Sequence, residues 1–112
     1  MTMKKKELIV TSALPYANGP LHFGHLLEHI QTDIWVRSQR ILGNYCIYLC
    51  ASDAHGTPIM MKAEEENIAP EKLVDKYMKA HKKTLEAFQV SHDCYYQTHS
   101  EENKKYSELI YN

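Results

Sequence analysis

Two histidines three positions apart, with a glycine between them, are the residues of this sequence with the clearest potential for chemistry. His22 and His25 flank Gly24 directly after a turn-rich segment. If a helix begins there, both imidazoles project from its first turn, and the helix N-terminus adds unpaired N–H groups and partial positive charge. The missing side chain of Gly24 would let a ligand approach the backbone. The pattern therefore predicts an anion or nucleotide site.

The residues alone leave other interpretations of these histidines open. His22, His25 and His29 are also of a type that binds zinc, although zinc-binding histidine pairs on a helix more often stand four positions apart and no partner ligand is evident. Helix capping or surface exposure would also account for them. The glycine pattern matches neither the P-loop nor the dinucleotide-binding loop. We predict an anion site and no metal ligands in this chain.

The elements that must position the histidines alternate between strand and helix patterns. Apolar, β-branched residues predict a buried strand at 7–13 and a second strand at 45–51 that is covered on both faces, and a third strand is predicted at 94–97. Helices are predicted at 22–42, at 57–66 and from 70 to 88, and a last helix, capped by Thr98 or Ser100, is predicted to end at 111. This alternation predicts an α/β fold, a parallel sheet with crossover helices. The histidines then follow the first strand, where such sheets bind ligands.

Periodicity also predicts which helix faces are buried. In the first helix the predicted buried stripe is Phe23, Leu27, Ile30, Ile34 and Ile41. In the long helix after residue 70 it is Leu73, Tyr77, Leu85 and Phe88.

Composition excludes several classes of protein. A chain of 112 residues that is 44% hydrophobic, with a net charge of -1, fits one small ordered domain rather than a strongly basic DNA-binding module. Three cysteines without a Cys-x-x-Cys pair indicate no zinc ribbon, and Cys46 and Cys50 in an apolar run predict buried, reduced thiols. The apolar runs are too short to cross a membrane. We therefore expect a cytoplasmic protein without membrane or DNA partners.

Longer blocks of the sequence resemble the methionyl-tRNA synthetase family of class I aminoacyl-tRNA synthetases. Residues 13–25 end in His-x-Gly-His, which is similar to the class I signature, and residues 26–37, 50–59 and 98–103 follow in the family's order and spacing. Phe23 stands where the family more usually has an aliphatic residue, and Ser52 where it often has an acidic one. The signature segment consists of Pro15, Tyr16, Ala17, Asn18, Gly19, Pro20, Leu21, His22, Phe23, Gly24 and His25.

The resemblance implies ATP-dependent activation of methionine to methionyl-adenylate and transfer of the methionine to tRNA(Met). It implies that His22 and His25 are the catalytic residues and contact the ATP phosphates, with Gly24 as a further ATP-binding residue. ATP would enter with Mg²⁺ as a substrate. The imidazoles would position the phosphates and stabilise charge rather than transfer a proton.

The resemblance also implies a methionine site on the segments that follow the first two strands. Leu14 and Tyr16 would line the pocket for the methionine side chain, and Asp53 would bind its ammonium group. On the residues alone, Asp53 would also suit the cap of the next helix. His55 and Gly56 would either reach the nucleotide or cap that helix.

The matching blocks cover only the first half of the family's Rossmann-like catalytic domain. The insertion with the zinc knuckle, the Lys-Met-Ser-Lys-Ser loop and the anticodon-binding helices come later in the family, so zinc and tRNA contacts are expected in those regions. We expect residues 1–112 to form the N-terminal half of the catalytic domain, ending before the insertion. An inactive remnant acting as an interaction module remains the alternative. A class I enzyme for another amino acid is a third hypothesis, although the blocks at 13–19 and 53–58 favour methionine.

Overall fold

A computed structural model describes residues 4–112 of the chain. Three parallel strands, β1 (Glu7–Thr11), β2 (Tyr45–Ser52) and β3 (Cys94–Gln97), form a sheet in the order β1-β2-β3. Helix α1 (Phe23–Ile41) connects β1 to β2. Helices α2 (Thr57–Glu65) and α3 (Pro70–Ala87) connect β2 to β3, and α4 (Glu101–Tyr111) follows β3. The predicted α/β fold with crossover helices is confirmed.

Local sequence signals explain most helix boundaries. Gly43, which follows the C-cap of α1, has a φ of +82°, a conformation that glycine adopts without strain and that ends the helix. Both α2 and α3 carry a proline in their first turn, where its missing N–H costs no hydrogen bond. The Ser100 hydroxyl accepts a hydrogen bond from the N–H of Asn103 at 3.1 Å and caps α4.

The core lies on one face of the sheet. Alternate residues of β2, from Cys46 to Ser52, are buried there, against Val36 of α1 and Leu85 of α3. In the described residues the opposite face carries no helix, and its apolar side chains are exposed: Ile9, Tyr45, Leu49 and Tyr96. The predictions that β1 is buried and that β2 is covered on both faces were therefore wrong, because α1 and α3 pack on the same side.

The predicted buried face of α1 was also wrong. Phe23, Leu27, Ile34 and Ile41 are exposed, whereas His29, Asp33 and Val36 are buried. Burial of Asp33 is tolerated because its carboxylate accepts hydrogen bonds from the Ser91 N–H and the Arg37 guanidinium. Ile30 of the predicted stripe is partly buried. The side of α1 that faces the sheet therefore combines polar residues with Val36, and most of the predicted apolar stripe faces away from it.

Helix α3 followed its prediction more closely. Leu73 and Leu85 are buried and Tyr77 is partly buried, as predicted, but Phe88 is exposed. The buried thiols of Cys46 and Cys50 are confirmed. No helix among residues 4–112 is long and apolar enough to cross a membrane.

Candidate active site

The segments that follow β1 and β2 lie side by side at the carboxyl edge of the sheet. Tyr16 and Asp53 form an isolated parallel bridge. The N–H of Ala17 donates to the carbonyl of Asp53, and the N–H of Asp53 donates to the carbonyl of Pro15, each at 2.8 Å. The signature segment and Asp53 therefore meet at one edge, as expected for ligand-binding residues of a parallel sheet.

His22 is the N-cap of α1, and His25 completes a capping box. Nδ1 of His22 accepts hydrogen bonds from the N–H groups of Gly24 at 3.0 Å and His25 at 3.4 Å. In return, Nδ1 of His25 accepts from the N–H of His22 at 3.3 Å. The two rings stack with their centroids 3.7 Å apart and their planes 19° from parallel. Backbone groups thus hold both imidazoles in one orientation.

This capping arrangement decides where the rings carry their protons. Because Nδ1 of each ring accepts a backbone N–H, a neutral ring has its proton on Nε2. Partial burial, and then the proximity of His22, lower the pKa of His25 below its usual value. His25 is therefore neutral at pH 7 and presents Nε2–H as a donor at the start of α1.

Gly24 is needed by the histidine pair itself. A Cβ at this position would lie 3.0 Å from Cε1 and 3.1 Å from Nδ1 of the His22 ring. Such contacts are tighter than ordinary van der Waals distances, so a side chain here would require the His22 ring to shift by a few tenths of an ångström. The sequence interpretation gave Gly24 the roles of letting a ligand approach and of binding ATP, and it did not predict this contact with His22.

Tyr16 and Gly56 pack directly against each other. Gly56 has a φ of +124°, and a Cβ there would lie 2.6 Å from the Tyr16 hydroxyl oxygen. Glycine is therefore required by both the backbone and the tyrosine. Gly56 is the N-cap of α2 and, having no side chain, makes no side-chain capping bond.

Asp53 is not the cap of α2. Its carboxylate accepts one long hydrogen bond, 3.4 Å from the N–H of His55, and the side chain is partly buried. Oxygen lone pairs therefore remain for a ligand. Leu14, at 40% exposure, lies in the same segment as Tyr16 and has apolar surface that a ligand would cover.

A cavity of about 300 Å³ lies at the same edge, between the end of β2 and the start of α4. His55, Thr98 and His99 are among its lining residues. The rings of His55 and His99 meet edge to face with their centroids 5.8 Å apart. His55 is therefore placed to contact a ligand in this cavity and does not cap α2.

A buried histidine that the sequence interpretation missed supports the signature turn. His81 is 1% exposed, and its Nε2–H donates to the carbonyl of Gly19 at 2.6 Å. Its Nδ1 then accepts from the Ser52 hydroxyl at 2.9 Å, and Ser52 accepts from the Tyr95 hydroxyl at 2.8 Å. Burial lowers the pKa of His81, which keeps the ring neutral. The spacing of four residues that relates Leu73, Tyr77 and Leu85 also includes residue 81, so the signal was present.

Comparisons with known proteins agree with this geometry. Residues 8–112 match the family model for tRNA synthetases class I (M). The chain is 56% identical over 106 residues to the methionine–tRNA ligases of two strains of Leptospira biflexa serovar Patoc, a match that covers 95% of this chain and 16% of each relative. The chain therefore spans about a sixth of the length of these curated relatives.

Two solved structures have the same fold. One, a Mycobacterium tuberculosis methionyl-tRNA synthetase in complex with methionyl-adenylate, superimposes with a TM-score of 0.91 at 24% identity, over 96% of this chain and 21% of that chain. The other, an M. tuberculosis methionyl-tRNA synthetase bound by methionyl-adenylate, gives a TM-score of 0.82 at 26% identity, over 87% of this chain and 19% of that chain. With a family match that extends over nearly all of its residues, the chain belongs to the class I (M) family of tRNA synthetases.

Proposed function

We propose that residues 1–112 form the N-terminal half of the catalytic domain of a methionine–tRNA ligase. Such an enzyme uses ATP to convert methionine to methionyl-adenylate and transfers the methionyl group to tRNA(Met). Family membership and the names of the relatives support this assignment. The remaining parts of the site, most tRNA contacts and the family's zinc knuckle would lie in regions that the relatives have and this chain does not span.

The paired Nε2–H donors at the start of α1 are the observation that carries the proposal. In the activation step a methionine carboxylate oxygen attacks the α-phosphorus, and the bond from that phosphorus to the bridging oxygen of pyrophosphate breaks. His22 and His25 would donate hydrogen bonds to phosphate oxygens as negative charge shifts between them. Neither ring needs to exchange a proton, which agrees with Nδ1 of both rings being engaged by the backbone. ATP would arrive as its magnesium complex.

Asp53 would orient the other substrate. Its carboxylate, next to the signature segment through the bridge to Tyr16, would bind the methionine ammonium group. Leu14 and Tyr16 would contact the side chain, since an aromatic ring packs favourably against a thioether sulfur. Methionyl-tRNA is consumed by translation, so we place the activity in the cytoplasm.

A chimera tests the proposal directly. Residues 8–112 of this chain replace the matching segment of the Leptospira biflexa ligase, and methionine-dependent ATP–pyrophosphate exchange is measured. The unaltered ligase is the reference, and we expect the chimera to retain most of its exchange rate. His22→Asn keeps a good capping residue but removes the Nε2–H donor. It should therefore lower kcat by about 100-fold while methionine affinity stays nearly unchanged.

Asp53→Asn provides the complementary variant. It should weaken methionine affinity by about tenfold or more, because it removes a charge-assisted hydrogen bond. A chimera without exchange activity, or a His22→Asn variant with the parent's kcat, would contradict the proposal. The first result would leave the nonenzymatic interaction module as the better hypothesis.

A further inference from the structure

A second polar cluster lies in the core, beginning one helical turn after His25 on α1. His29 of α1, Cys50 of β2 and His92 of the loop before β3 each contribute one potential ligand atom, and these atoms lie within 4.8 Å of one another. His29 and Cys50 are buried, and His92 is partly buried. We propose that this His-Cys-His cluster is a binding site for a thiophilic transition-metal ion, with Zn²⁺ as the expected ion.

The distances allow coordination with small movements. Three atoms no more than 4.8 Å apart all lie within about 2.8 Å of a common point, and zinc needs about 2.0–2.3 Å to imidazole nitrogen and thiolate sulfur. Nδ1 of His29 and Nε2 of His92 are 3.3 Å apart, which is close to the separation of two nitrogens on a tetrahedral zinc ion. The Ser12 hydroxyl, 3.1 Å from Nδ1 of His29 and 3.6 Å from Cys50 Sγ, offers an oxygen for the fourth position.

Nδ1 is the nitrogen of His29 that faces the cluster. It lies 3.1 Å from the Ser12 hydroxyl oxygen and 3.3 Å from Nε2 of His92. When Nδ1 binds a metal ion, Nε2 on the other side of the ring carries the imidazole proton.

His92 is fixed in place by its neighbours on both sides. The N–H of Ser91 donates to the Asp33 carboxylate at 2.8 Å. The carboxylate of Asp93 accepts from Arg40 and from the N–H of Tyr48, each at 2.7 Å. A ligand held in this way loses little conformational freedom when a metal binds. The site would connect α1, β2 and the loop before β3.

The cluster also has a route to solvent. His92 lines a surface cavity of about 360 Å³, together with Leu85, Val90 and Tyr95. His92 therefore borders the cavity and also contacts His29, and it is the member of the cluster that an ion from this cavity would meet first. The proposal concerns a different set of residues from the synthetase site, and its test requires neither methionine nor ATP.

The test uses the 112-residue protein after treatment with a chelator. Co²⁺ replaces zinc as a spectroscopic probe, because a bound thiolate gives a sulfur-to-cobalt charge-transfer band. We expect one Co²⁺ per chain with this band, and loss of the band in Cys50→Ser. Cys94→Ser removes an exposed thiol and is the matched control that should keep it. His92→Phe should weaken binding by at least about tenfold.

A stability measurement gives an independent readout. Zn²⁺ at about 100 times its Kd should raise the Tm by about 10 °C in the parent and in Cys94→Ser, but not in Cys50→Ser. Absence of the charge-transfer band, persistence of the band in Cys50→Ser, or a Tm that does not respond to Zn²⁺ would overturn the proposal.

Discussion

Replacement of Gly56 by alanine should be among the most destabilising single-methyl changes in this chain. The backbone of Gly56, with φ +124° and ψ 159°, lies in a region that essentially only glycine occupies, which costs another residue roughly 1–3 kcal/mol. The new Cβ would lie 2.6 Å from the Tyr16 hydroxyl oxygen, so an overpacking cost of about 1–3 kcal/mol is added. We expect Gly56→Ala to lower the free energy of unfolding by about 4 kcal/mol.

A double-mutant cycle separates the two contributions. Tyr16→Phe removes the hydroxyl, and the nearest remaining atoms to the new Cβ, at 3.6 and 3.7 Å, are then at ordinary contact distance. In the Tyr16→Phe background, Gly56→Ala should therefore cost only the backbone strain, so about 1–3 kcal/mol should be recovered. Gly19→Ala is the control. Nothing lies within 4 Å of its added Cβ, and its cost should stay within about 0.5 kcal/mol.

Urea unfolding of the 112-residue chain, followed by far-ultraviolet circular dichroism, measures these free energies. If Gly56→Ala is already unfolded without urea, a folded Gly56→Ala/Tyr16→Phe double variant would still show that removal of the hydroxyl restores stability. Equal costs for Gly56→Ala and Gly19→Ala would refute the packing argument. An unchanged cost in the Tyr16→Phe background would show that the hydroxyl is not the obstacle.

Two further predictions concern His81 and the chain by itself. Burial lowers the pKa of His81 below 6.5, so the stability that it contributes is present above pH 6.5 and is lost as the pH falls through its folded-state pKa. His81→Gln should therefore have a flatter stability–pH profile below pH 6.5 in urea titrations, and an unchanged slope would contradict this. Burial also lowers the pKa of His29 and of His92, the latter to about 4. These two histidines contribute the same pH dependence to the parent and to His81→Gln. Residues 1–112 alone should show no methionine-dependent ATP–pyrophosphate exchange, because one half of the sheet supplies only half of such a site. Exchange near that of an intact ligase would show that the half-site is sufficient.

The helix and strand boundaries were accessible from the sequence because their signals are local. Pro58 and Pro70 mark helix starts, Gly43 marks a helix end, and the apolar residues of β2 distinguish it from the helices around it. Each boundary depends on a few adjacent residues. The structure consequently reproduces all seven predicted elements, with shifts of at most a few residues at their ends.

Burial was less predictable because it depends on partners far along the chain. Asp33 is buried through bonds to Ser91, 58 residues away, and His81 through a bond to Gly19, 62 residues away. No local pattern shows that these polar groups have partners. Which face of the sheet is covered also depends on distant parts of the chain, because it is decided by where both crossover helices pack. The predicted buried faces of α1 and α3 therefore omitted Asp33 and His81, which lie in the core.

The residue type at position 22 is itself an argument for the site. Serine, threonine, asparagine and aspartate cap helices at least as well as other residues, so capping alone does not explain a histidine. A serine hydroxyl would accept and donate at the same oxygen, close to the backbone, and an aspartate would repel a phosphate by its charge. An imidazole accepts the backbone N–H groups at Nδ1 and still presents a donor at Nε2 on the far side of the ring. His25 does the same in this capping box: its Nδ1 accepts the N–H of His22, which leaves Nε2 as a donor. Because His22 engages the backbone N–H groups of Gly24 and His25, the Nε2 donors of the two caps would bind a phosphate at this helix N-terminus in their place.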